Sequence, residues 1–394
     1  MSLLILLIAA LLMVGYLLLL FHYRKSWQTI PDFIIPENKI PSGNTFISVI
    51  VAARNEEKNI GKLITAIQKQ NYPSSLFELI IVDDHSTDKT ADIIKPFLNN
   101  QIHLIPLRLA DKATIAFKKA AIDIGIKNSK GDLIITTDAD CNMSENWLST
   151  IAAFYELHHP KMMVMPVVIK NNHSFLGRFQ TLDFMSLQGI TGAAVHKKIH
   201  GMCNGANLAY TRKVFNEVNG FEGIDHIASG DDMLLMHKIS KKYKNEILFL
   251  KSKNVIVETQ PETNISGFIN QRIRWASKAD KYEDKSLFPV LLLVYLVNLL
   301  MAFLFFKFMF FNFEFSILNF SFILLFIIKT ATELYFLFPV SRFFGYTKLL
   351  WWFPFFQPFH IVYTVVAGWM GKFGSYKWKG RELNGLSPKS LSKR

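Results

Sequence analysis

Cysteine is nearly absent from this sequence: Cys141 and Cys203 are the two in 394 residues. Two cannot build a disulfide framework or a four-ligand zinc site. Charge is also scarce, at 19% of residues, while half the chain is hydrophobic and 35 residues are Phe. That balance excludes a disordered or collagen-like chain. A third absence is glycine after the first strand-like run, where Ala53-Arg54-Asn55-Glu56-Glu57 stands. A nicotinamide dinucleotide needs a glycine-rich turn there so that backbone can approach its pyrophosphate, and no Gly-Lys-Ser/Thr P-loop is present either. Any bound nucleotide diphosphate must therefore be neutralised by a cation. The charge that is present is unbalanced, 44 Lys and Arg against 31 Asp and Glu, a net +13.

The apolar excess lies at the two ends of the chain. Residues 2–21 carry no charge and suffice to cross a hydrocarbon core of roughly 30 Å as a helix. No Lys or Arg precedes them and no small-x-small cleavage site follows, so residues 1–24 read as a membrane anchor rather than a signal peptide. Arg24 and Lys25 then keep the next segment cytosolic. Residues 287–311, 315–340 and 349–370 are three more apolar stretches within a membrane region spanning 286–371. Three crossings put the C-terminus outside, yet the basic tail, residues 372–394, argues for inside. Pro354 and Pro358 interrupt the last stretch, which favours a re-entrant or interfacial start and a cytosolic tail. Lys329 and Glu333, four apart, read equally as a contact for an acceptor headgroup or as a structural ion pair. The expected setting is the cell inner (cytoplasmic) membrane, multi-pass, with the chemistry facing the cytosol. No nucleic-acid partner is expected, and the sequence leaves the oligomeric state unknown.

Residues 44–285 alternate strand-like and helix-like patterns, which predicts an α/β domain. Residues 46–53, 77–82 and 133–137 read as buried strands. The first leads into an amphipathic helix opened by Asn55-Glu56-Glu57, with Ile60, Leu63, Ile64 and Ile67 on its inner face. The second ends on Asp83-Asp84-His85-Ser86-Thr87-Asp88 and the third on Asp138-Ala139-Asp140. In an open parallel sheet, ligands bind beyond the carboxyl ends of the strands, so these acids share one crevice.

Asp138 and Asp140 at i and i+2 can share a divalent cation on diphosphate oxygens. About one such triplet arises by chance in a chain this long, so its place after an apolar strand carries the reading. Asp84 can accept the N3–H of a uracil ring. Asp83, Ser86 and Asp88 are candidate helix caps, and for Ser86 and Asp88 capping is the better reading. Ser229-Gly230-Asp231-Asp232 precedes an apolar helix and reads either as a cap or as a loop bringing a general base to an acceptor hydroxyl. On a helix beginning near Ser266, Gln271, Arg274 and Trp275 share one face, offering an amide, a diphosphate-binding fork and an aromatic platform. Arg272 and Lys278 read as ordinary interfacial anchors.

Taken in order, Val82-Asp83-Asp84, Asp138-Ala139-Asp140, Gly230-Asp231-Asp232 and Gln271-x-x-Arg274-Trp275 resemble the family 2, GT-A-fold glycosyltransferases. These are membrane-anchored inverting enzymes related to cellulose, chitin and hyaluronan synthases, and the likeness covers roughly residues 47–278. It implies a UDP-sugar donor, with Asp84 on uracil and Glu56 near the ribose or base. It implies Asp138 and Asp140 on Mg²⁺ or Mn²⁺, and Asp232 or Asp231 as the base. Gln271 and Arg274 fall on the diphosphate side and Trp275 under the acceptor. Lys118 and Lys119 stand where the family often has a diphosphate lysine, and Lys119 is taken as the candidate. Two departures are Ala52, where Pro is frequent, and Gly-Asp-Asp in place of the commoner Glu-Asp.

Residues 201–210 and Trp378-Lys379-Gly380-Arg381 are similar to the branch that glycosylates membrane lipids such as carotenoids, ceramides or hopanoids. That branch implies a membrane lipid or lipid-linked acceptor. The competing expectations are a processive polysaccharide synthase and a non-catalytic, membrane-tethered UDP-sugar-binding regulator. Too few apolar helices are available for a transporter.

Overall fold

The computed structural model describes residues 2–35, 45–108, 116–199, 201–227, 229–277, 286–310, 317–378 and 381–384. Lys278 and the tail cations Lys379, Lys389, Lys393 and Arg394 lie outside them, as do Gly380 of the lipid-branch motif and the ends of two apolar stretches near 311 and 315.

In chain order the elements begin with α1 (Ser2–Thr29), β1 (Ile47–Ala53), α2 (Ile60–Gln68), β2 (Phe77–Asp83), α3 (Thr90–Ile94) and β3 (Ile102–Pro106). There follow α4 (Phe117–Lys127), β4 (Leu133–Asp138), α5 (Trp147–His158), β5 (Met162–Val164), β6 (Val167–Ile169) and α6 (Phe175–Lys197). Next come β7 (Leu208–Thr211), α7 (Arg212–Glu217), α8 (Met233–Tyr243), β8 (Ile247–Phe249), β9 (Val257–Thr259) and α9 (Ile265–Ala276). The chain closes with α10 (Leu287–Phe310), α11 (Ile317–Phe344), α12 (Phe353–Phe373), β10 (Ser375–Trp378) and β11 (Arg381–Asn384).

These form two compact units, one of Ile30–Lys170 with Thr191–Gln260, the other of Met1–Thr29, Asn171–Ile190 and Pro261–Arg394. The first holds a mixed α/β sheet of seven strands in the order β3-β2-β1-β4-β7-β5-β8. β1, β2, β3 and β4 run parallel, and β7 is antiparallel to β4 and β5. β1, β2 and β4 are mostly apolar runs, buried on both faces, which leaves no polar side to alternate with. β1 and β2 are buried almost throughout.

α2 begins five residues later than its sequence suggests. Asn55 takes a left-handed φ of 54°, and residues 55–59 form a turn in which Asn59 and Ile60 N–H donate to Glu56 O. Its inner face is nonetheless Ile60, Leu63, Ile64 and Ile67, as the periodicity requires.

The second unit contains α1, the N-terminal part of α6, and α9 to α12. Among the described residues, four segments are long and apolar enough to cross a membrane: Leu3–Thr29, Leu287–Met309, Phe320–Phe344 and Thr347–Phe373. The last opens with a six-residue 3₁₀ turn, Thr347–Trp352. α12 then runs unbroken through both prolines. Pro354 falls in the first turn, where a missing N–H costs nothing, and the bond lost at Pro358 would have gone to Pro354 itself.

Within this unit, Lys329 is fully buried and pairs with Glu333 Oε1 at 2.6 Å. Lys329 also donates to Gln357 Oε1 at 2.9 Å, Tyr16 OH donates to Glu333 Oε1 at 2.5 Å, and Gln357 Nε2 donates to Glu333 Oε2. The pair is thus closed within the unit by groups from α1 and α12, which supports the structural reading over a headgroup contact.

Candidate active site

β1 is the pivot of the parallel sheet: β2 and β3 lie to one side and β4 to the other. Where strand order reverses in this way, a crevice opens at the carboxyl ends of the strands. The register sets Ala53 beside Asp83 and Ala52 beside Asp138. The acids that end β2 and β4 therefore flank the end of β1.

On the β2 side, Asp84 is buried, and its backbone N–H donates to Ala53 O at 2.8 Å. Its Oδ1 meets His85 Nδ1 at 3.1 Å and Arg54 Nη1 at 3.9 Å. Arg54 Nη1 also donates to the carbonyls of Asp84 (2.7 Å) and His85 (3.1 Å). The loops after β1 and β2 are stitched together further by Asn55 N to Ser86 Oγ, Glu56 N to Thr90 Oγ1 and Glu57 N to Asp88 Oδ2. Ser86 and Asp88 are thus structural, but as ties between loops rather than as the expected caps: the N-cap position of α3 is Lys89. The Glu56 carboxylate accepts from Asn59 Nδ2 at 3.0 Å.

On the β4 side, Asp138 Oδ1 lies 2.7 Å from Lys118 Nζ, and the same ammonium lies 3.3 Å from Asp231 Oδ2. Burial by itself would lower the Lys118 pKa, but Asp138, Asp231 and Asp232 outweigh it and raise it above the ordinary lysine range. Asp140 Oδ2 accepts from Thr259 Oγ1 at 2.8 Å, at the end of β9. Asp232 caps α8: its Oδ1 accepts from Met233 N at 2.7 Å and its Oδ2 from Gly205 N at 3.1 Å. Buried Cys141 is held as a neutral thiol, because burial and then Asp140 and Asp138 raise its pKa.

Of these groups, one was named in the sequence beside its neighbour without being chosen, and another escaped the reading. Lys118, rather than the candidate Lys119, faces the acids. Lys119 is buried and donates to the carbonyls of Ile224 (2.8 Å), Ile227 (2.6 Å) and Ser229 (3.0 Å), tethering the segment that leads into Gly230-Asp231-Asp232. The signal was available in the helical phase: Lys119, Ile122 and Ile126 fall at i, i+3 and i+7 on the buried face. The other is Gly205, where an added Cβ would lie 3.0 Å from Asp231 Oδ2 and 3.6 Å from Lys118 Nζ.

Gln271, Arg274 and Trp275 belong to the helical unit, on α9. Asn264 caps this helix through Gly267 N at 2.8 Å. Arg272 is buried instead of anchoring at an interface. It donates to Asp183 Oδ2 through Nη2 at 2.7 Å and Nε at 3.1 Å, and to Gln271 Oε1 at 2.8 Å. Its guanidinium lies 4.2 Å from the centre of the Trp275 ring, and Tyr363 OH donates to Asp183 Oδ1. Gln271 Nε2 reaches Glu262 Oε1 at 3.4 Å, and Trp275 packs on Phe184 at 5.7 Å. One buried arginine thus orients two of the three residues read from sequence.

Among the described residues, no group of three or more His, Cys, Asp or Glu side chains is arranged to hold a metal ion. Asp138 and Asp140 suit a different kind of site. Mg²⁺ typically takes one or two carboxylates and completes its shell with waters and substrate phosphates.

A parallel sheet pivoting on β1 with acids beyond its carboxyl edge defines a GT-A-like nucleotide-sugar fold, flanked in sequence by one N-terminal and three C-terminal long apolar helices. Residues 48–218 match the model described as glycosyl transferase family 2. The fold is similar to that of the mannosyltransferase PcManGT from Pyrobaculum calidifontis, solved in complex with GDP-Man and Mn²⁺. The TM-score is 0.59 at 17% identity, over 93% of this chain and 97% of that one.

Two relatives differ in what their names say they make. A beta-monoglucosyldiacylglycerol synthase from Nostoc sp. is 31% identical over 120 residues, 30% of this chain and 25% of its own length. A poly-beta-1,6-N-acetyl-D-glucosamine synthase from Staphylococcus epidermidis is 25% identical over 254 residues, 62% of this chain and 57% of its own length. The matched stretches span less than two thirds of either relative.

Proposed function

We propose that this protein transfers a sugar, with inversion, from a UDP-sugar to a membrane lipid or lipid-linked acceptor at the cytosolic face of the cell inner membrane. The observation that carries this reading is the gathering of carboxylates from three places in the chain at the pivot of the sheet, with four helices among the described residues apolar enough to span a bilayer. Asp84 accepts the uracil N3–H, and Glu56 lies toward the ribose. Gln271, Arg274 and Lys118 serve the diphosphate, and Trp275 underlies the acceptor. Asp138 and Asp140 hold Mg²⁺ or Mn²⁺, which when bound supplies positive charge to the departing diphosphate.

Asp232 is the better base of the two adjacent acids. Both of its oxygens are fixed by backbone N–H groups, and each keeps a lone pair for an acceptor hydroxyl. Asp231 is engaged by the Lys118 ammonium. Removal of the acceptor proton by Asp232 as the anomeric carbon is attacked from the side opposite UDP gives the inverted product.

The alignment with a polysaccharide synthase over 62% of the chain favours a second reading, processive elongation. Incubation of the purified protein in lipid with UDP-sugars and a membrane-lipid extract, followed by mass spectrometry, separates them. A lipid heavier by one hexose or hexosamine supports the first reading. A ladder of products supports the second, and unchanged lipid with intact donor contradicts both.

A further inference from the structure

Lys118 joins two motifs that carry different tasks in the reading above. Its ammonium donates to Asp138 Oδ1 at 2.7 Å and lies 3.3 Å from Asp231 Oδ2. The contact is half-sheltered: the side chains of Lys118, Asp138 and Asp231 are 22%, 36% and 11% exposed. Gly205 makes room for it, since a side chain there would press on Asp231 and approach the ammonium. Asp140 has its own partner in Thr259. A divalent cation arriving at Asp138 thus meets a carboxylate that already holds a positive charge.

We propose that Lys118 is an internal counter-cation that occupies Asp138 in the nucleotide-free protein, so that divalent cation and nucleoside diphosphate bind together rather than one after the other. This rests on the reading that Asp138 takes the metal. An ammonium and a divalent ion cannot share one carboxylate oxygen without like-charge repulsion. A cation alone must displace Lys118 from Asp138 toward Asp231 and Asp232, with no new anion to receive it. A diphosphate brings acceptor oxygens of its own, which gives the ammonium a second anionic partner while the metal takes Asp138. Nucleotide and metal then raise each other's affinity by the same factor, as reciprocal linkage requires.

The test is Mn²⁺ titration of the full chain in detergent, with and without UDP, for the wild type, Lys118→Met and Lys118→Gln. Far-UV circular dichroism verifies the fold, and Gln guards against a packing defect in Met. The expected result is nucleotide-free Mn²⁺ affinity at least about tenfold tighter in the variants, with the enhancement by UDP reduced by a similar factor. Lys118→Arg, which keeps the charge, should stay near the wild type. Nucleotide-free Mn²⁺ affinity that is unchanged or weaker in both Met and Gln variants overturns the proposal. Failure of wild-type protein to bind UDP even with Mn²⁺ contradicts the donor reading instead, while the metal-only comparison still decides the role of Lys118.

Discussion

Two lysines show how differently the two units treat a charge. Lys329, on α11, is fully buried, and its partners Glu333 and Gln357 come from the same bundle of apolar helices. Lys118, on α4, is partly exposed and shared between Asp138 and Asp231 at the carboxyl edge of the sheet. The first network is closed, with Tyr16 and Lys329 both donating to Glu333 Oε1 and Gln357 to Oε2. The second keeps solvent access, so its partners can be exchanged. A charge enclosed among apolar helices stabilises one arrangement of those helices, whereas a charge shared at a strand edge is available to a substrate.

That contrast breaks most visibly under substitution of the candidate base. Asp232→Asn should lower turnover by about 10²–10⁴-fold, the range of general-base catalysis, while UDP affinity measured by calorimetry stays essentially the same. Parallel loss of binding would show that Asp232 only holds the fold. Next in size, Lys329→Met leaves Glu333 buried without its cation and should destabilise the helical unit by about 3–5 kcal/mol. Thermal melting in detergent reads this directly, with nucleotide affinity of the surviving folded protein unaltered. An unchanged melting temperature would mean that the buried pair is not structural.

Asp138→Ala should remove the metal-dependent part of donor binding, so that EDTA no longer weakens UDP affinity; a persistent EDTA effect would assign the cation elsewhere. The smallest effect is expected from Gly205→Ala. Its methyl would displace the Asp231 carboxylate by a few tenths of an ångström, giving a few-fold loss of turnover with little change in melting. A normal rate would show that the Lys118–Asp231 contact tolerates that shift.

Strands β1, β2 and β4 were legible as apolar runs, and the sheet sets the acids that end β2 and β4 on either side of β1; β3, the fourth parallel strand, was not foreseen. Strands β5 to β9, of three or four residues each, are too short to display a period and were not foreseen. Lys119 was taken over Lys118 because adjacent lysines point about 100° apart on a helix, and choosing between them requires its phase. Arg272 was read as an interfacial cation because the sequence does not reveal that Asp183, nearly ninety positions earlier, meets it in a buried pair. Local patterns carry strand ends and helix faces; pairings across the chain need the packed structure.

The most direct test of the central claim, that the acids at the sheet edge form a sugar-donor site, is nucleoside diphosphate release by the purified protein in lipid. A panel of UDP- and GDP-sugars would be supplied with Mn²⁺ or with EDTA, alongside Asp232→Asn. Metal-dependent release of UDP from one sugar, lost in the variant, is the predicted result. Equal release by wild type and Asp232→Asn, or release indifferent to EDTA, would contradict it.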